Sequence, residues 1–205
     1  MRLWKVLSVE GRAVHGGSGA WDLGGAWMPR IDSLDPCARG YHLCRTLDLL
    51  TWRRDGAHVW EVEADRQGMV VQGDKVVVHA ARLVRRCPVS ARQWQEFARD
   101  CAERVLPLFE RVCPADTRPR ECIAVARRYA VGLATDAERV AARDGARAAA
   151  GAAARAAAWD AAGAAARDVA WAAAGAAAGA GAAAREWQRV RLEQYLDGRA
   201  YGGQS

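Results

Sequence analysis

The chain has 205 residues, a formal charge of +6 and 51% hydrophobic residues. That length fits one large or two small domains. The apolar fraction overstates the core, because alanine supplies much of it while the large apolar side chains concentrate before residue 135. Arginine is interspersed with Asp and Glu and forms no basic block, which disfavours a nucleic-acid partner. The opening segment MRLWKVLSVEG has no apolar signal core, and no uncharged apolar run of membrane-spanning length follows it. A cytoplasmic protein with no membrane association is expected, its six cysteines reduced.

Residues 1–87 read as a small β-rich domain. LWKVLSV (3–9) predicts a strand ending at Glu10-Gly11. A long ordered loop over 15–40 follows, glycine-rich and pinned by Trp21 and Trp27, then a short helix near 47–52. HVWEVEA (58–64) sets Val59, Glu61 and Glu63 against His58, Trp60 and Val62, a period-two pattern. MVV (69–71), the turn QGDK and VVVHAARLV (76–84) predict a hairpin.

Pro88 marks the start of an Ala-rich helical domain over 88–197. Ser90 with Gln93 is a capping box. It opens a helix whose stripe is Trp94, Phe97, Cys101, Val105 and Leu108, with Pro107 expected to kink or end it. Pro119 starts a second helix with a face of Cys122, Ile123, Ala126, Tyr129 and Ala130, ended by Gly132. Thr135 with Glu138 is a second capping box. Beyond it, 26 of the 39 residues from Ala146 to Ala184 are alanine, with Arg, Gly and Trp on a four-residue lattice from Arg147. Alanine has the best helix propensity but buries little area. A row of fourth residues drifts around a single helix, so the tract predicts two or three pieces in an antiparallel bundle. Gly179-Ala180-Gly181 is the expected break, a last helix covers about 183–195, and 198–205 is a flexible tail. The fold class is therefore α+β.

No residue set specifies a reaction, so the catalytic and cofactor assignments are none. Cys37, His42 and Cys44, with Cys87 or His79 as a fourth ligand, are weak zinc candidates, set against a buried structural role beside a turn at Gly40. His15 with Gly16, Gly17 and Gly19 lacks the Lys-Ser/Thr of a phosphate loop and reads as a tight turn. Asp116, Arg118, Arg120 and Glu121 form a charged turn between helices, either local capping or a rim that a partner reads. Trp159 and Trp171, amid alanine, either fill a groove between helices or stand out as anchors.

Two stretches carry resemblances. Trp94, Cys101, Ala102 and Arg104-Val105-Leu106-Pro107-Leu108-Phe109-Glu110 are followed by Pro114, Asp116 and Arg118-Pro119-Arg120. This pattern resembles the entry motif of the fifth immunity-protein family of bacterial polymorphic toxin systems, in which an Ala-rich helical region follows. Cys37-Ala38-Arg39-Gly40-Tyr41-His42-Leu43-Cys44 is similar to the Cys-x-x-Gly-aromatic-His-x-Cys box of a small uncharacterised domain of phage and bacterial proteins. The first resemblance implies a non-catalytic module that blocks a protein partner, a toxin or a defence effector, as an immunity or phage-associated counter-defence protein does. Its candidate contacts are Arg118, Arg120, Arg155, Trp159, Arg167 and Trp171. Two alternatives stay open: an enzyme of the ADP-ribosyl-transfer type using NAD or a nucleotide through His42, Glu61 and Glu63, and a structural protein whose helices self-associate.

Overall fold

In the computed structural model, residues 1–200 are described apart from Ser18, Cys37 and 164–166, and for 154–178 and Ala180 the backbone alone is described. Strand β1 (Leu3–Leu7) shows why the amino-terminal part folds as it does. Leu3 and Leu7 share one face and Trp4 and Val6 the other, and all four are buried. Period-two alternation of this kind with both faces apolar marks a strand covered on both sides.

Six strands follow from such segments: β1, β2 (Tyr41–Leu43), β3 (His58–Ala64), β4 (Val70–Gln72), β5 (Lys75–Val78) and β6 (Ala81–Arg86), with a short helix α1 (Leu49–Trp52) between β2 and β3. They form two antiparallel three-stranded sheets, β1-β3-β6 and β2-β5-β4. Leu3, Leu7, Val62 and Leu83 of the first sheet and Leu43, Val76 and Val78 of the second meet in one core with Trp21.

Two sequence expectations shift here. Strand β3 has the predicted span, yet its alternation is interrupted. Glu61 pairs with Arg85 and Val62 with Leu83, so Val84 is an extra residue at a bulge and stands exposed. Val59 and Val62 are both buried, one on each covered face. The run 76–84 is also not one strand. The hairpin closes at Gly73-Asp74, β5 ends at Val78, and the chain changes sheet through His79-Ala80 before β6. Over 15–40 the structure has the expected loop, in which Trp21 is buried but Trp27 is exposed under Arg82.

The helices are α2 (Ala91–Val112), α3 (Arg118–Ala130), α4 (Asp136–Gly163) and α5 (Arg167–Leu196). Both capping boxes form. The Ser90 amide donates to Gln93 Oε1 at 2.7 Å, and the Thr135 amide to Glu138 Oε2 at 2.7 Å, each with the reciprocal bond. Helix α2 runs past Pro107 instead of ending there. Helix α5 passes through Gly179-Ala180-Gly181 without the predicted break. Two glycines cost roughly 2 kcal/mol against alanine, and the surrounding alanines with the packed carboxy-terminal turns outweigh that.

The chain divides into two compact units, Met1–Gln93 with Trp187–Ser205, and Trp94–Glu186. The chain leaves the first unit and returns to it. The returning end of α5 brings Leu192, Tyr195 and Leu196, all buried. Trp4 Nε1 donates to Thr46 Oγ1 at 3.0 Å, and that hydroxyl donates to Glu193 Oε1 at 2.9 Å. Asp197 accepts from Arg2 at 2.7 and 3.1 Å and pairs with Arg85 and Arg199, while Arg2 and Arg85 also hold Glu61 at 2.9 and 2.8 Å. Gly198, expected in a loose tail, caps α5 in the left-handed region (φ +72°), its amide donating to the Tyr195 carbonyl and that of Arg199 to Gln194.

In the second unit the helices alternate in direction. Arg127 reaches Glu103 at 2.8 Å and Arg120 reaches Glu110 at 2.6 Å, so α3 runs antiparallel to α2. Helix α3 packs along α4, with Arg128 near Glu138 at one end and Arg118 beside Gly145 at the other, again antiparallel. The most buried part of α4 is small: Ala149 is fully enclosed and Ala142, Gly145, Ala146 and Ala153 flank it on the same face. Among the described residues no helix is long and apolar enough to cross a membrane.

Candidate functional site

Two places carry chemistry, one in each unit. In the helical unit, Asp116 lies in the turn before α3 and Arg118 and Arg120 in the first turn of that helix. Arg118 grips Asp116 with two bonds, at 2.8 and 2.6 Å, and the guanidinium holds the Asp116 carboxyl below its ordinary range. Arg120 is tied to Glu110 of α2 and is otherwise exposed. Glu121 accepts from the Thr117 hydroxyl at 2.6 Å. Each arginine is thus tied to a carboxylate at the surface, and exposed pairs of this kind add little to stability.

The predicted stripe of α2 divides along its length. Phe97 is buried, whereas Val105, Leu108 and Val112 are 47%, 54% and 65% exposed. A row of apolar side chains at helical spacing therefore faces solvent on the unit that also presents Arg118 and Arg120. The backbones of Arg155 and Trp159 lie in α4 and those of Arg167 and Trp171 in α5; their side chains lie outside the described residues.

In the first unit, a cleft of about 700 Å³ opens beside β1 and β2, bordered also by residues 13–17 and Gly19. Its floor is unusual. Lys5 alternates with Leu3 and Leu7 and so points its ammonium toward the apolar side of β1. There it donates to the His42 carbonyl at 2.9 Å and lies 5.4 Å from the Trp21 ring centroid. Burial pushes its pKa down to about 8. Burial, then the Lys5 charge, also lowers that of His42. Trp21 meets Tyr41 edge-on at 5.4 Å, and the Tyr41 hydroxyl donates to the Pro29 carbonyl at 2.7 Å. At the other end, His15 stands edge-on to Trp52 at 5.0 Å and hydrogen-bonds its carbonyl, and Lys75 Nζ is 5.2 Å from the same ring. Gly40, at φ +124°, is required here: a Cβ would fall 2.4 Å from Val77 Cγ1.

The zinc candidates separate in this geometry. Cys37 lies outside the described residues. His42 and Cys44 both border the cleft, but burial pushes the Cys44 thiol up to about 12, and its Sγ donates to the Trp4 carbonyl at 3.5 Å. A thiol in that state is neither a ready ligand nor a nucleophile. Among the described residues no group of three or more His, Cys, Asp or Glu stands where it could hold a metal ion. The loop at His15 is a turn closed by the Arg12–Ala20 bridge and opens no helix. The transferase alternative loses its carboxylates as well. Glu61 is engaged by Arg2 and Arg85, Glu63 by Arg82, and neither lines the cleft with His42.

Lys5, Trp52 and Lys75 were absent from the sequence-based candidates. One signal was readable: a lysine on the apolar face of LWKVL breaks the alternation where a leucine or valine belongs.

Residues 88–183 match the family model described as Imm-5 like putative immunity protein, a span slightly under half of the chain. No curated protein and no solved structure was found to match the chain. The matched span contains the whole motif from Trp94 to Arg120 and most of the alanine tract. The Cys37–Cys44 box lies outside it.

Proposed function

We propose that this chain is a non-catalytic binding protein of the immunity type, whose helical unit docks on a protein partner, a toxin or defence effector, in the cytoplasm and blocks it sterically. The observation that carries this reading is the match of residues 88–183 to the immunity-protein family. The surface of that unit supports it. Val105, Leu108 and Val112 offer apolar area in one row, and Arg118 and Arg120 are fixed beside carboxylates at the surface. Protein interfaces combine an apolar centre with arginine and aromatic anchors, and a few such residues dominate the affinity. Arg155, Trp159, Arg167 and Trp171 are the further anchors proposed on α4 and α5.

The test is co-purification of the intact protein with the products of neighbouring genes, followed by calorimetric titration of any partner. A specific complex is expected, weakened about tenfold or more by Leu108→Asp or by Arg120→Ala. A folded protein that captures none of these products and instead turns over NAD or a nucleotide would overturn the reading. So would concentration-dependent growth in light scattering with no foreign partner, which would favour self-assembly.

A further inference from the structure

We propose that Lys5 is a carbonyl-capturing amine: the cleft of the amino-terminal unit admits a small aldehyde with an apolar or aromatic body, and Lys5 condenses with it to an imine. The described residues that border this cleft all belong to the first unit, so the inference stands independently of the partner proposed for the helical unit.

The choice of cation comes first. Of the 30 Lys and Arg residues in the chain, 28 are arginine and two are lysine. Those two, Lys5 and Lys75, both border this one cleft. Arginine stays protonated in proteins, whereas a lysine can lose its proton and then carries a lone pair that attacks a carbonyl. Lys5 is placed for that role. It stands on β1 between Leu3 and Leu7, and its Nζ donates to the His42 carbonyl at 2.9 Å and lies 5.4 Å from the Trp21 ring centroid. A carbonyl acceptor takes one N–H and leaves the lone pair of the neutral amine unspent. Burial pushes the pKa of Lys5 down to about 8, so near neutral pH the neutral amine is more abundant than on an ordinary lysine. The nearby Cys44 thiol, pushed up to about 12 by its own burial, is no rival nucleophile.

The lining sets the body of the ligand. Val14, Trp21, Met28, Ile31, Tyr41 and Leu43 border the cleft, whose volume of about 700 Å³ lies within the range of small-molecule sites. Such side chains receive an apolar or aromatic group by taking it out of water. The chemical step balances without a co-reactant. The ammonium gives one proton to solvent, and the lone pair attacks the carbonyl carbon to form the C–N bond. The oxygen leaves as water, carrying one hydrogen of the amine and one proton from solvent. The nitrogen of the protonated imine keeps its last hydrogen for the His42 carbonyl.

The experiment incubates the full chain with benzaldehyde and sodium cyanoborohydride near neutral pH and maps the reduced adducts by peptide mass spectrometry. Lys5 should be labelled at least about tenfold faster than Lys75, as a desolvated amine is the more reactive of the two. Its rate should level off as benzaldehyde is raised, because binding precedes reaction. In denaturing urea the preference should vanish. Lys5→Arg keeps the charge and the donor but removes the amine, and should abolish the saturable labelling while the thermal midpoint stays near that of the parent. If Lys5→Arg does not fold, the mapping on the parent chain decides alone. The proposal fails if Lys5 is labelled no faster than Lys75, if its rate rises without levelling off, or if urea leaves the preference intact.

Discussion

In the first unit one indole reaches a threonine, the threonine reaches Glu193, and Asp197 holds three arginines at once. In the helical unit the ties between helices are exposed ion pairs such as Arg120–Glu110 and Arg127–Glu103, over a contact made by Ala149 and its small neighbours. The two regions reach order by different routes. The first depends on particular large side chains at particular positions, so each carries a substantial share of the stability. The second depends on repeated small residues that let backbones approach, so its order is spread thinly. Substitutions that remove volume should therefore hurt the first unit, and substitutions that add volume should hurt the second.

The largest effect is expected from Leu192→Ala. Leu192 is fully buried with the amino-terminal unit although it lies near the end of the chain. Truncating a buried leucine costs about 2–5 kcal/mol, and denaturant unfolding should show a loss near the middle of that range. A loss below about 1 kcal/mol would mean that α5 does not complete the first unit.

Next is Ala149→Leu. The added side chain has no room on the enclosed face of α4, and overpacking of this kind costs about 1–3 kcal/mol. The same change at exposed Ala148 should cost nearly nothing, because that position faces away. Equal effects at the two sites would show that α4 is not packed as described. This pair tests the small-residue contact directly, since the two alanines are adjacent in sequence and differ only in facing.

How much of this was legible beforehand follows from the same contrast. The strand from Leu3 (expected over 3–9, found to Leu7), the strand at 58–64, both capping boxes and the helix beginning near Pro119 were readable because each depends on local pattern: alternation, a cap or a proline. Val84 at its bulge and the change of sheet at His79-Ala80 were not, because register is settled by the partner strand. The return of α5 to the first unit was hidden too. Leu192 and Leu196 stand one helical turn apart, and nothing local says which unit they cover. In the helical unit the four-residue lattice from Arg147 drifts around the helix, as expected, and most of its side chains lie outside the described residues. The partly or fully buried face is Ala142, Gly145, Ala146, Ala149 and Ala153. At the cleft, Lys5 was legible in principle as an inward charge, whereas Trp52 and Lys75 meet it only through the tertiary fold.

A smaller effect is expected from Asp197→Asn, and pH separates it from a packing defect. The Arg2 hydrogen bond, with Arg199 and Arg85 adding, holds the Asp197 carboxyl at about 2, below its ordinary value of 3.8. A depressed carboxylate stabilises the native state fully above its unfolded pKa and loses that contribution as pH falls through the folded one. Allowing for solvent screening, the contribution is roughly 1 kcal/mol at neutral pH. Parent and Asp197→Asn should therefore differ at pH 6 and converge as pH approaches 2, when unfolding by denaturant is followed across that range. A difference that persists at pH 2 would assign the loss to packing.

The smallest effect has the opposite sign. Gly181 lies inside α5, and a Cβ added there meets nothing within 4 Å among the described residues. Glycine in a helix interior gives up roughly 1 kcal/mol against alanine through backbone entropy, so Gly181→Ala should stabilise the protein by up to that amount. Because the change adds a methyl group to open space, it isolates propensity from packing, which Ala149→Leu cannot do. A destabilisation would mean that the glycine is needed for close approach of another element, and the contact row of the helical unit would then extend beyond Ala153. A gain would place Gly181 off the contact row and confine the need for small side chains there to positions that another helix touches.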